Sequence, residues 1–411
     1  MLGPDQNLST IFEGFLTLQY PSYTLQLPTT HPLIYVIKSN FMKQKGKVRF
    51  IAKDKNLFFP TLKKRVDEYF TERKISKYAD RTMVFKTIIL LSAYILPFVF
   101  ILVFNPPFGL SLVLWFLMGL GIGGIGMSIM HDANHGAYSA NETVNKWMGH
   151  TINLAGGGVL NWKLQHNVLH HMYTNVVPMD EDIQDRLVVR LSPHTEVRTF
   201  HRFQWIYAFF FYGILTLYWV VAKDFVQLIS FTRSGVNTQT QRENMITLVR
   251  LVLMKIVYFA VFFFVPVYFF SISFGELVAG FLLMHFTAGL VLTVIFQLAH
   301  TVEGADHPLA NEKGIIENDW AIHQLQTTVN FSRRNKWLSW YVGGLNFQVE
   351  HHLFPRICHV HYPSIAPIVK QTAEEFGLVY LENESFNDAL QSHINTLRRF
   401  GRLPDWNEAI G

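Results

Sequence analysis

The stretch 108–135 reads FGLSLVLWFLMGLGIGGIGMSIMHDANH. From Phe108 to Met130 it holds no charged residue, and it exceeds the roughly 20 apolar residues that a helix needs to cross a bilayer core of about 30 Å. His131 and His135 follow at once. If the helix continues out of the bilayer, their i, i+4 spacing puts both imidazoles on one face, just past the membrane exit. The run Gly119, Gly121, Gly123, Gly124, Gly126 has small-xxx-small spacing, which lets helices pack closely. It lies inside a span, so it is no nucleotide-binding loop.

Three further stretches, 84–104, 252–272 and 275–298, are as long and as apolar. Asn105, Pro106 and Pro107 join the first two spans, and Ser273 and Phe274 the last two, giving two helical hairpins. None of the 35 Lys and Arg residues lies at a hairpin tip. Positive charge marks the cytoplasmic side, so both termini, the middle segment and the C-terminal segment are expected there. A fifth stretch, 204–221, is shorter and rich in Trp and Tyr, as in the headgroup zone. It is read as lying in the interface or re-entering, because a fifth crossing would split the basic segments across the membrane.

Composition agrees with this reading. Charged residues make up 16% of the chain, against about 25% in soluble domains. A single Cys excludes a disulfide scaffold and any zinc site built from several thiolates. The net charge of +5 suits an anionic membrane surface, and no nucleic-acid partner is read from it. Residues 1–41 have no signal-peptide pattern and are expected to be a poorly ordered extension, with Met42 as a candidate start. Residues 42–411 are read as one domain, and 60–77 as an amphipathic surface helix with Leu62, Val66, Tyr69 and Phe70 on one side.

The 18 histidines are not scattered. His166, His170 and His171 form a second cluster in a helical-looking run. His351 and His352, with Gln348 before them, form a third, and His300 sits just past the end of the fourth span. Imidazole is the commonest metal ligand, and eight histidines from four segments suit two metal ions better than one. Imidazole takes Zn, Cu, Fe or Ni, and oxygen chemistry favours iron because zinc is redox-inert. Asp132, Asp180, Asp182 and Glu303 are placed to accept the remaining imidazole N–H groups. A solvated acidic turn is the alternative for 180–182. His150, His194, His201 and His393 are read as surface or outer-layer residues. His285, alone at membrane depth, is either functional or a helix-to-helix hydrogen bond.

The segments His131–His135, His166–His171 and Gln348–His352 resemble the three histidine boxes of the membrane fatty acid desaturases. QVEHHLFP, 348–355, is similar to the third box of the front-end branch, and the unfused form looks like its linoleoyl-CoA (delta-6) desaturase type. The resemblance covers the chain from about Val48 onward. It implies an all-α integral membrane protein with four transmembrane helices in two hairpins, interfacial helices and a cytosolic helical cap holding a di-metal centre. It also implies a non-haem di-iron cofactor, O2 as co-substrate, and a cis double bond introduced into the acyl chain of an acyl-CoA or phospholipid.

By matching position, His131, His135, His166, His170, His171, His300, His351 and His352 would be iron ligands. Gln348 stands where other branches use histidine. Trp162 matches a position lining the acyl tunnel, its plain alternative being an interfacial anchor, and His285 is a further tunnel candidate.

Front-end members often carry a fused cytochrome b5 domain with a His-Pro-Gly-Gly motif. Here His31-Pro32 is followed by Leu33 and Ile34, so a separate electron donor, a ferredoxin or cytochrome b5, is expected. The expected location is the bacterial inner membrane, or the endoplasmic reticulum in a eukaryote, with the active site on the cytoplasmic side. Two other readings compete: a di-iron membrane fatty acyl or alkyl hydroxylase, which shares the first hydrogen abstraction, and a histidine-rich metal transporter. Transport sites need polar residues near mid-membrane, where only His285 lies.

Overall fold

The computed structural model describes residues 48–52, 57–184 and 188–402, so the expectations for residues 1–41 and for Met42 fall outside the described residues. Helix α1, Phe58–Arg73, ends at Lys74 in the left-handed conformation. Its Leu62 and Val66 are fully buried and Tyr69 and Phe70 half-buried, so the expected apolar side packs into the protein. Helix α2, Arg81–Phe104, opens on an Asp80 side chain that accepts the Met83 N–H, and stops at left-handed Asn105 before the two prolines. Helix α3, Phe108–His135, runs on past the apolar stretch, with its turns widened to a π-helix over Ile125–Ile129. The expected glycine packing is present. A Cβ on Gly119 would lie 2.6 Å from the Met284 carbonyl, and one on Gly121 3.1 Å from the Tyr94 nitrogen.

Helix α4, Glu142–Gly149, leads to α5, Val159–Lys163, which continues as a π-helix over Leu164–His170. Helix α6, Thr199–Ser234, extends the fifth stretch well beyond 204–221. By length and composition it could cross a membrane, so five such helices occur among the described residues. Polar residues in its second half masked this length in the sequence; Lys223, Asp224 and Gln227 are all buried against protein. The Gly213 carbonyl of α6 lies close to Gly289, so the two backbones nearly touch.

Helix α7, Gln241–Phe270, starts on a Thr240–Glu243 capping box, and α8, Phe274–His300, follows after a short turn. The more buried helices are α3 and α8, whereas α2 and α7 expose rows of large apolar side chains such as Phe85, Ile88, Leu253 and Ile256. Such faces fit lipid.

The remaining chain is built from short helices: α9, Trp320–Thr327; α10, Lys336–Tyr341; α11, Gln348–Leu353; α12, Tyr362–Glu375; and α13, Phe386–Phe400. Two parallel two-residue strand pairs tie distant loops together. Strand β1, Arg49–Phe50, pairs with β2, Ile315–Ile316, and β3, Asn330–Phe331, pairs with β4, Glu382–Asn383. An apolar cluster of Leu62, Val66, Leu325, Val349, Ile365 and Val369 joins α1, α9, α11 and α12. It holds the third histidine segment from behind.

Candidate metal centre

Each histidine segment owes its placement to a helix end. Helix α3 carries His131 and His135 on its last turn, ring centroids 4.8 Å apart, before Gly136 turns the chain away at φ 74°. In α5 the π-turn bonds the His171 N–H to the His166 carbonyl, stacking residue i+5 over residue i. Their Nε2 atoms come within 3.3 Å, and His166 Nε2 is 3.1 Å from His131 Nε2. His300 ends α8, and α11 supplies His351 and His352.

All eight expected histidines converge. One nitrogen from each of His131, His135, His166 and His351 lies within 4.8 Å of the others, and the same holds for His170, His300 and His352. His171 forms a third such group with His351 and His352, so it stands between the two. All eight rings are buried. Phe296 of α8 packs against part of the cluster, 4.9 Å from His170 and 5.3 Å from His300, centroid to centroid.

The outer nitrogens are engaged. Nδ1 of His170 lies 3.1 Å from Asp180 Oδ2, His351 Nδ1 lies 3.2 Å from the Tyr362 hydroxyl, His352 Nδ1 lies 2.8 Å from Gln324 Oε1, and His300 Nδ1 lies 3.3 Å from the Thr327 carbonyl. In each ring this leaves a buried Nε2 without a partner, and His135 Nε2, His131 Nδ1, His171 Nδ1 and both polar atoms of Gln348 also lack one. Buried polar atoms are nearly always paired, so this concentration of unpaired nitrogens has the chemistry of a set that could hold metal.

Electrostatics agree with that donor set. Burial, reinforced by neighbouring imidazoles, holds His166, His171, His351 and His352 well below the usual histidine range, so they stay neutral with lone pairs available. His170 differs: burial pulls it down, but the Asp180 charge and hydrogen bond outweigh that and raise it.

The acidic residues divide. Asp180 is fully buried, which excludes a solvated turn at that position, and it also accepts the Asn175 and Asp182 N–H groups. Asp182 lies 3.6 Å from His170 Nδ1 and accepts from Gln165 at 2.6 Å. Asp132 faces chiefly His359, whose Nδ1 lies 2.8 Å from Oδ2 and whose Nε2 meets Lys86 Nζ at 2.7 Å; its distance to His131 Nδ1 is 3.8 Å. Glu303 is exposed, and its carboxylate accepts from Asn395 instead of facing a ring. Gln324, Tyr362, Thr327 and His359 were not foreseen. Gln324 and Thr327 sit more than 20 residues from any box, and His359 and Tyr362, though only seven and ten residues past His352, carry no local signal.

Trp162 is buried against the cluster, its ring 4.5 Å from that of His166. His285 makes the helix-to-helix bond: Nε2 lies 3.0 Å from the Tyr258 hydroxyl of α7 and Nδ1 3.2 Å from Thr216 of α6. Tyr258, not His285, lines an apolar cavity of about 500 Å³ bounded by Tyr94, Phe98, Met118, Leu154 and Phe262. Among the lone histidines, His150 is exposed and His194 half-buried, but His201 and His393 are buried within the fold, His393 bonding the Thr301 carbonyl and Tyr212.

The family model for fatty acid desaturases matches residues 107–383, the region holding all three histidine clusters. The chain belongs to the fatty acid desaturase family. As such it is an oxidoreductase acting on acyl chains, a multi-pass membrane protein with a buried histidine-rich metal centre. The desaturase is 36% identical to the sn-1 linoleoyl-lipid 6-desaturase of Arthrospira platensis over 354 residues, 85% of this chain and 94% of that one. It is 32% identical to the protein of the same name from Synechocystis, over 84% of this chain and 96% of that one. An acyl-lipid (8-3)-desaturase of Physcomitrium patens matches at 32% identity over 87% of this chain and 74% of its own.

Proposed function

We propose that this desaturase introduces a cis double bond at the delta-6 position of an acyl chain carried on a membrane lipid, using O2 and two iron ions. The observation carrying this reading is the convergence of eight buried imidazoles, most with an unpaired ring nitrogen, in a protein that also holds an apolar cavity among its membrane helices. His131, His135, His166 and His351 would hold one ion, and His170, His300 and His352 the other, with His171 between them and Gln348 as a further donor. Iron supplies the O2 activation that an unactivated methylene requires, since acid–base groups have no proton or leaving group to work on there. The residues of the chain fix geometry: Asp180, Gln324, Tyr362 and the Thr327 carbonyl orient the rings, and the cavity aligns the acyl chain, where small displacements are costly. Asp132, 3.8 Å from His131 Nδ1 and fixed by His359, and Asp182 serve the same outer layer. The linoleoyl-lipid names of the two most fully covered relatives support a lipid-borne substrate and the delta-6 position.

The topology proposed is four crossings in two hairpins. Helices α3 and α8 both end at the histidine cluster, and α7 reaches α8 through a tip at the opposite end. In this arrangement the chain leaves His135 and begins α7 on one side, which favours an α6 that starts and ends on that side. Both ends of α6 also touch the histidine-bearing layer, Gln204 bonding the Leu397 carbonyl and Gln227 bonding Gln165. With Thr216 and Gly213 of its middle against His285 and Gly289 of α8, that contact pattern supports a helix that dips into the membrane and returns to the same side. The distribution of basic residues supports a cytoplasmic side for this layer, in a bacterial inner membrane, with a separate ferredoxin or cytochrome b5 supplying electrons. Residues 42–411 would form this one desaturase domain.

Expression in a host lacking polyunsaturated lipids, followed by mass-spectrometric location of new double bonds in intact glycerolipids, tests the reading. A new double bond at carbon 6 of lipid-bound chains is expected. Hydroxylated chains without new unsaturation, or product found only on CoA, would refute the corresponding part.

A further inference from the structure

Outside the histidine cluster, a buried Lys–Asp pair joins Asp224 of α6 to Lys255 of α7, Nζ to Oδ2 at 2.8 Å, with Asp224 wholly and Lys255 almost wholly buried. An ion pair in this setting is costly, and well-packed apolar residues would join two helices at least as firmly. Its partners show what else it does. Asp224 Oδ1 accepts the Gly158 N–H and the Trp219 indole N–H, both at 3.2 Å, and the Asp224 carbonyl accepts from Asn161 at 2.7 Å. Gly158 is the residue before α5, so the carboxylate caps the helix that carries His166 and His170. Lys255 donates to the Gly156 and Trp219 carbonyls.

Each contact thus ends on the 156–161 segment, on Trp219 or within the pair itself. Trp219 packs with Met130 and Trp162, and Trp162 lies over the His166 ring. The fit is close: a Cβ on Gly157 would lie 2.5 Å from the Trp219 ring. On the other side, Leu253, Met254, Val257 and Tyr258, from the same turns of α7 as Lys255, line the apolar cavity.

We infer that the Asp224–Lys255 pair positions the second histidine segment against the acyl cavity and so fixes which carbons of the chain meet the centre. The inference rests on the cavity holding the acyl chain. Asp224 and Lys255 are positioning residues that act through Gly158, Trp219 and Trp162.

The test compares the purified full-length protein with its Asp224→Asn, Lys255→Arg and Asp224→Asn/Lys255→Met variants, reading iron per chain, double-bond position and, without substrate, the visible absorption of the cobalt-loaded protein. Asp224→Asn is expected to keep its iron and spread the new double bond over two or more neighbouring positions, the minor ones reaching a tenth or more of product. It should also shift the cobalt bands. Lys255→Arg should keep the original single position. Product confined to the original position in Asp224→Asn, at whatever rate, or unchanged cobalt bands would overturn the inference. Should Asp224→Asn not fold, the double variant, which leaves no charge unpaired, is held to the same two criteria. An unaltered chain that forms no double bond would instead defeat the reading of the cavity.

Discussion

His352 Nδ1 lies 2.8 Å from Gln324 Oε1, a contact across 28 residues of chain between two side chains that no solvent reaches. The amide oxygen accepts the ring N–H, and the Thr174 hydroxyl bonds the same oxygen at 3.0 Å. The tautomer of His352 is thereby set, with its Nε2 lone pair facing the cluster. Gln324→Leu should lower iron affinity or activity by about 10- to 100-fold while leaving membrane insertion intact. Iron content after dialysis against a graded chelator series checks this, and unchanged retention would exclude the role.

His170 is the ring whose outer partner is charged. His170→Ala should abolish desaturation, with normal membrane yield. Asp180→Asn should cost less than His170→Ala, because an amide oxygen can still accept the ring N–H and only the charge is lost. Product yield per membrane-inserted chain ranks the two, and full activity in His170→Ala would remove that residue from the donor set.

Gln348 is completely buried with both amide atoms unpaired. Gln348→His should therefore retain iron, since imidazole is the stronger donor at a position that shares a helix face with His351 and His352. Complete loss of iron at normal expression would show that the amide is not standing in a ligand position.

Acid should destabilise the metal-free protein. Burial holds His323 and His393, both outside the cluster, down to about 4, below the value of about 6.5 expected in the unfolded chain. Between those values the unfolded state binds more protons, so this contribution to stability is fully present above pH about 6.5 and is lost as pH falls toward 4. His166, His171, His351 and His352 act in the same direction, and His170, whose value is raised, acts in the opposite one. The thermal midpoint in detergent should fall steadily from pH 7 to 4.5. A midpoint that rises over that range contradicts the burial of neutral imidazoles.

Much of this was legible in the sequence where the signal is local. Hydropathy over 20 residues needs no tertiary knowledge, so four of the five long apolar helices are legible, and i, i+4 spacing at a helix end is enough to pair His131 with His135. The orienting layer was not legible, because Gln324, Tyr362 and Thr327 are ordinary polar residues that gain a role only when folding brings them to a ring. Proximity in sequence misled at Glu303, three residues past His300, where the chain has already turned outward. The length of α6 was hidden because Asp224 and Gln227 read as a polar end, whereas each is buried against a partner.

Metal analysis of the purified full-length protein tests the central claim most directly. The account predicts two iron ions per chain, falling when His166 or His300 is replaced by Ala at unchanged membrane yield. Zinc at one ion per chain, or iron unaffected by either replacement, would contradict a di-iron centre held by these histidines.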